Sequence, residues 1–226
     1  MKNILLCTDG SRYAEVCCRY AAWLAKRTDA RIQALYVSDL WEFETSMLAD
    51  FSGSLGVQPY QGVSDHMRKI EEQKSELIEN AVKGIMKEEG LEKRLDFHHN
   101  TGLLVDSIDD FEEGGDAVDL IMLGKRGENA NLAKGHLGAN MERVVRASSK
   151  PCLVTNRKFE EIKKVALAYD ASESTRRAAA WLKESVGFND LELEILVVDE
   201  DRPDQDALGM LREAEKKDVY NQCFQE

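Results

Sequence analysis

The chain lacks most of what would announce a reaction. No Ser-His-Asp or Cys-His grouping is visible, no HExxH, and no GxxxxGK[ST] loop with its lysine and magnesium-binding hydroxyl. Five cysteines include no CxxC pair and no zinc-like spacing, which argues against a disulfide framework or a metal finger. Cys7 and Cys152 lie in apolar runs, where cysteine behaves as a small hydrophobe. The histidines offer no ligand set, because His98 and His99 are adjacent on an expected strand and point to opposite faces. No apolar run reaches the length of a membrane span, about 18 residues, and Asp9 interrupts MKNILLCTDGS too soon for a signal peptide. Positive charge is also short: 30 Lys and Arg stand against 42 Asp and Glu, a net charge of −12. Such a surface repels nucleic acid and anionic membranes, so a phosphate-bearing ligand must be caught by a local feature. A cytoplasmic location is the expectation.

What is present describes a globular protein. At 226 residues, 43% hydrophobic and 32% charged, the chain suffices for one to two domains with buried cores. KNILLCTD reads as a buried strand, followed by a helix from about Ser11 to Arg27 whose apolar side carries Ala14, Val16, Cys17, Tyr20, Ala21 and Leu24. RIQALYVSD is a second strand. Residues 40–63 read as an irregular segment, long for a connection in a compact domain and of the kind that is functional or mobile. A charged helix is expected from Ser64 to Glu89, ending at Gly90. RLDFHHNTG is a third strand, VDSIDDFEEGG a short helix, AVDLIMLG a fourth strand, and KPCLVTN a fifth, preceded by a helix from about Asn140 to Ala147. The runs ILLC, ALYV, LIML and CLVT are apolar without alternation, as strands buried on both sides should be. Alternation of strand and helix then implies an α/β fold with a doubly wound, five-stranded parallel sheet. Ligands in such folds sit beyond the carboxyl ends of the strands, where Asp9, Val37 and Gly124 fall.

The remainder begins again. KKVALAYDASESTRRAAAWLKE echoes NILLCTDGSRYAEVCCRYAAWLAK, with Asp170 answering Asp9, Ser172 answering Ser11, and Trp181-Leu182 answering Trp23-Leu24. LELEILVVDE matches RIQALYVSD, and VYNQCFQ reads as a third strand. The expected division is a first unit over residues 1–157 and a partial repeat of the same α/β unit over 158–226. The repeat has DAS in place of DGS and no glycine loop, so it should hold no ligand of the same kind. Its LAYD and ILVV strands should need cover on both faces from the first unit or another chain.

The stretch GKRGENANLAKGHLGANMERVVRAS, residues 124–148, carries the chemistry. A phosphate is held by converging backbone N–H groups and the positive end of a helix. Glycine permits left-handed turns and a close approach of the ligand. Gly124 and Gly127 follow a strand and Gly138 opens a helix, while Lys125, Arg126, Lys134 and His136 form a cationic cluster on an acidic protein. By itself the glycine pattern fits either phosphate binding or a loop whose glycines serve geometry alone.

The combined pattern resembles the universal stress protein family, whose nucleotide-binding members carry G-x2-G-x9-G-[S/T] here. GKRG matches the first two glycines, LGANMERVV the third glycine and its helix, KPCLVT the last strand, and ILLCTDGS the first strand with its aspartate. The resemblance implies that ATP or another adenine nucleotide is held in the first unit. It gives Asp9 the ribose, the Val37 backbone the adenine, Gly124 and Gly127 the ribose–phosphate turn, and Gly138 the phosphates. Met122 and Leu123, by position, form an apolar wall beside the base; Lys125, Arg126, Ala139 and Asn140 complete the set. A divalent metal would enter only through nucleotide phosphates. The resemblance also implies slow or absent hydrolysis, and pairing through the last strand, LVTN at 153–156, as a homodimer or an intrachain pseudo-dimer.

Two departures stand out. Ten residues, one more than usual, separate Gly127 from Gly138, and Ala139 replaces the hydroxyl residue. One lost hydrogen bond to a charged group costs about 1.5–3 kcal/mol, or roughly ten- to hundredfold in affinity. ATP should suffer more than a diphosphate or monophosphate, and Asn140 stands ready to substitute. The reading is a stress-response switch that responds to a nucleotide and presents an altered surface to a protein partner. The competing reading is a protein-interaction module with a vestigial loop.

Overall fold

The computed structural model describes residues 1–38, 61–113, 117–127, 138–197 and 219–223. It divides into two compact units, Lys2–Phe159 and Glu160–Glu226.

In the first unit the continuous apolar runs become strands and the amphipathic runs become helices. The order is β1 (Asn3–Thr8), α1 (Arg12–Thr28), β2 (Arg31–Ser38), α2 (Gln61–Glu88), β3 (Leu95–Thr101), α3 (Leu104–Glu113), β4 (Leu120–Gly124), α4 (Ala139–Ala147) and β5 (Cys152–Thr155). All five strands are parallel, in the spatial order β3-β2-β1-β4-β5. The chain winds outward from β1 through β2 and β3, then returns to the other side of β1 to lay down β4 and β5. The reversal leaves a crevice beyond the carboxyl ends of β1 and β4.

Strand parity divides the core. Leu5, Cys7, Leu35, Ile121 and Leu123 face α3 and α4, packing with Ile108, Met141 and Val144. The alternate residues, among them Ile4, Leu6, Ala34, Leu120 and Met122, are buried on the opposite face, which α1 and α2 cover. Burying such a side chain is worth about 1.5–3 kcal/mol, so this two-sided core dominates the stability of the unit.

One boundary differs from the sequence reading. The long helix begins at Gln61, not Ser64, because Gly62 and Val63 are tolerated in a helix at a cost of about 1 kcal/mol or less. Most of the segment read as irregular, residues 40–60, lies outside the described residues, as do residues 128–137 with Lys134 and His136.

The second unit contains β6 (Lys164–Tyr169), α5 (Glu173–Glu184), β7 (Glu192–Val197) and β8 (Val219–Cys223), in a parallel sheet of order β6-β7-β8. Leu167, Tyr169, Leu193, Ile195 and Val197 are buried on one face, and α5 packs on β6 with Ala179 and Leu182 buried. The other face corrects the expectation of two apolar surfaces. There Lys164 bridges Glu192 at 2.8 Å and Glu194 at 3.5 Å, and Ala166 and Ala168 are exposed. Where β1 carries core residues Leu5 and Cys7, the repeat has these two alanines, and ion pairs keep the neighbouring surface compatible with water.

Candidate functional site

The site is built from the turn that follows β1. Gly10 adopts φ +75°, a left-handed conformation, and a Cβ there would fall 2.9 Å from Ile78 Cγ1. The reversal allows the Ser11 amide to donate to Asp9 Oδ1 at 2.9 Å, and Ser11 then caps α1 by accepting from the Ala14 amide at 3.2 Å. The N-cap is thus Ser11, and Asp9 stands two residues before it at the rim of the sheet, half-buried.

Across the switch point, β4 ends and the chain passes Gly124, Lys125, Arg126 and Gly127. These glycines serve close approach, not left-handed turns, since neither they nor Gly138 has positive φ. A Cβ on Gly124 would lie 2.8 Å from Tyr13 Cβ, so this residue lets the first turn of α1 settle against the strand end. A Cβ on Gly127 would lie 2.7 Å from Asp9 Oδ2, which brings the carboxylate against the bare backbone. A Cβ on Gly138 would meet the Lys125 carbonyl oxygen at 3.3 Å and the Arg126 Cα at 3.4 Å. Asp9, Gly127 and Gly138 therefore converge, although ten residues of sequence separate Gly127 from Gly138. Lys125 is exposed and Arg126 half-buried beside them.

The amides of this cradle do not share one role. The Gly138 N–H donates to the Lys125 carbonyl at 3.2 Å and closes the neck of the loop. The first bond inside α4 runs from the Glu142 amide to the Gly138 carbonyl at 3.0 Å. Ala139, Asn140 and Met141 therefore present first-turn N–H groups with no partner inside the helix, and Gly138 supplies no capping side chain. A helix start of this kind attracts anions. Gly138, expected to meet the phosphates, has its own amide committed to Lys125. Ala139 and Asn140 are exposed, and the Asn140 amide group is one residue beyond the missing hydroxyl.

Val37 defines the other end. The Ser38 carbonyl accepts from the Gly102 amide at 3.0 Å, so the backbone groups of Ser38 turn toward β3. Alternation along a parallel strand turns those of Val37 toward β1, whose pairing ends at Thr8 opposite Tyr36. The Val37 carbonyl thus faces the rim beyond the last β1 pair, while its half-buried side chain packs against the core cluster of Leu35 and Leu123.

Met122 is not brought to this group. It is fully buried and pairs with Leu6 and Leu153 on the α1 side of the sheet, the face opposite Val37. Leu123, 4% exposed, has the parity to wall the crevice.

The repeat offers an internal control. Asp170 accepts from the Ser172 amide at 2.9 Å as Asp9 does from Ser11, and Ala171 takes φ 61° where Gly10 has φ +75°. Asp170 also accepts from the Thr175 hydroxyl at 2.8 Å, and Thr175 stands where the first unit has Ala14. Hydrogen bonding to the Ser172 side chain and amide and to Thr175 pushes its carboxyl down to about 2. Among the described residues, no group of three or more His, Cys, Asp or Glu is placed to hold a metal ion, and no helix is long and apolar enough to cross a membrane.

Cys7, Cys17 and Cys18 are buried. Burial pushes the Cys7 and Cys17 thiols up to about 12 and raises Cys18 as well. At pH 8, Ellman's reagent should leave these three unreacted in the folded protein, whereas the denatured chain should titrate as five thiols. Rapid labelling of any of the three in the native state would contradict the packing of β1 against α1.

The universal stress protein family model matches residues 1–156. The universal stress protein Slr1230 of Synechocystis is 41% identical over 223 residues, covering 96% of this chain and 76% of its own. A universal stress protein of Archaeoglobus fulgidus superposes with a TM-score of 0.67 at 23% identity, covering 98% of this chain and 76% of that one. The universal stress protein UspA of Lactobacillus plantarum gives 0.53 at 21% identity, over 68% of this chain and 96% of its own. These two structural likenesses speak to the fold.

Proposed function

The chain belongs to the universal stress protein family, and we propose that its first unit binds an adenine nucleotide and acts as a stress-response switch. The observation that carries this reading is the convergence of Asp9, Gly127 and the first turn of α4 at the β1/β4 crevice. In this reading the Asp9 carboxylate accepts from ribose hydroxyls. The Ala139, Asn140 and Met141 amides take the phosphates, with Lys125 and Arg126 neutralising charge. The Val37 carbonyl accepts from the adenine amino group, and Leu123 contributes the apolar side of the base. A divalent metal would arrive with the phosphates. Slow or absent hydrolysis belongs to this reading, as the family resemblance implies.

Titration calorimetry with AMP, ADP and ATP tests the site. Binding is expected to weaken at least about tenfold in Asp9→Ala, the loss of a hydrogen bond to a charged group. The absent hydroxyl at position 139 should cost ATP more affinity than AMP. Equal affinity in wild type and Asp9→Ala would remove the carboxylate from the site.

A second reading, an interaction module with a vestigial loop, is favoured by Ala139 and by the commitment of the Gly138 amide to Lys125. Mass spectrometry of ligands released from fresh protein separates the two: an empty protein indifferent to millimolar nucleotide supports the module. Either reading leaves β5 as an edge strand with Val154 37% exposed, suited to pairing two copies or two complete units.

A further inference from the structure

The carboxyl ends of β2 and β3 carry a polar cluster that the nucleotide reading does not use. Ser38 is the last residue of β2 and is 2% exposed. Its Oγ lies 3.1 Å from His99 Nε2, 3.2 Å from Thr101 Oγ1 and 3.4 Å from the Asn100 carbonyl oxygen. A hydroxyl has one proton to donate and two lone pairs to accept with. All three contacts are satisfied when Ser38 donates to the Asn100 carbonyl and accepts from Thr101 and from His99 carrying its proton on Nε2. The His99 ring in turn stacks on Tyr36, with centroids 5.1 Å apart, and Tyr36 donates its hydroxyl to Glu71 of α2 at 2.7 Å. The end of β2 is therefore anchored through side chains to β3 and to α2, on the sheet face opposite the crevice.

The backbone adds a reason for the anchor. The register with β1 ends at Tyr36 while that with β3 runs on to Ser38, so the strand end beyond Val37 keeps a neighbour on the β3 side alone. A strand end with one partner frays unless something else fixes it. Val37, whose carbonyl faces the crevice, lies between Tyr36 and Ser38, the two residues that the cluster grips.

We propose that Ser38, gripped by His99 and Thr101, is a positioning residue that sets the height of the Val37 carbonyl and hence recognition of the adenine base. This rests on the nucleotide reading of the site. None of these contacts involves Asp9, Gly127 or the first turn of α4, so loss of the cluster should discriminate between parts of the ligand.

The test compares AMP with inorganic pyrophosphate, by calorimetry, in wild type, Ser38→Ala, Ser38→Thr, His99→Ala and His99→Gln. Ser38→Ala and His99→Ala should weaken AMP about five- to tenfold and leave pyrophosphate unchanged, the cost of one misplaced neutral hydrogen bond. The Thr and Gln variants, which keep a hydroxyl or a side-chain donor, should recover most of the loss. Amide exchange in the ligand-free Ser38→Ala protein should quicken at residues 37 and 38 and not at β1 or β4. Unchanged AMP binding in Ser38→Ala, or parallel losses of AMP and pyrophosphate, overturns the positioning role. Wild-type protein that binds neither ligand overturns the nucleotide reading instead.

Discussion

Gly127→Val is expected to abolish nucleotide binding, by at least about a hundredfold, in a protein that remains folded. The backbone of Gly127 does not occupy the left-handed region, so a side chain there is a matter of space. The space is already taken: the first carbon would sit 2.7 Å from Asp9 Oδ2. Asp9 must then swing away, breaking its register with Ser11 and removing a charged hydrogen-bond acceptor from the ribose, while the valine methyls intrude into the crevice. Losing two hydrogen bonds to a charged group amounts to roughly a hundredfold or more. The position lies outside β4 and the buried core, so the melting temperature should shift little. Calorimetry with AMP and ADP beside thermal melts measures both quantities. Wild-type affinity in this variant would falsify the placement of the ligand between Asp9 and α4.

Met122→Ala should do the reverse. The side chain is fully buried between Leu6 and Leu153 beneath α1, and truncating such a methionine costs about 2–5 kcal/mol. Urea denaturation should show that loss, and the protein still folded should bind AMP as wild type does. Were Met122 the wall beside the base, affinity would fall while stability changed little.

These two residues show how far the sequence could be read. Uninterrupted runs such as ILLC and LIML disclose parallel strands buried on both sides, because an apolar residue at every position has no other economical use. That the strands are parallel follows from their alternation with helices, whereas their order is given by the structure alone. Parity along a strand is another matter. Met122 and Leu123 are adjacent and equally apolar, and nothing in their identity tells which one turns toward α1. Only the sheet register decides, and it sends Met122 to the core. The glycines mislead in a related way. Their number advertises a tight loop, but whether each serves a left-handed turn or a close approach depends on neighbours distant in sequence: Tyr13 for Gly124, Asp9 for Gly127 and Lys125 for Gly138. The anchor at Ser38 gives no periodic signal, since its partners His99 and Thr101 come from another strand.

The bond from the Gly138 amide to the Lys125 carbonyl has a consequence for the loop of unusual length. A clasp at the base of an excursion uncouples its circumference from the shape of what lies below. A deletion between Gly127 and Gly138 back to the common spacing should leave the first turn of α4 where it is. Length in the excursion and chemistry at position 139 should then be separable by substitution.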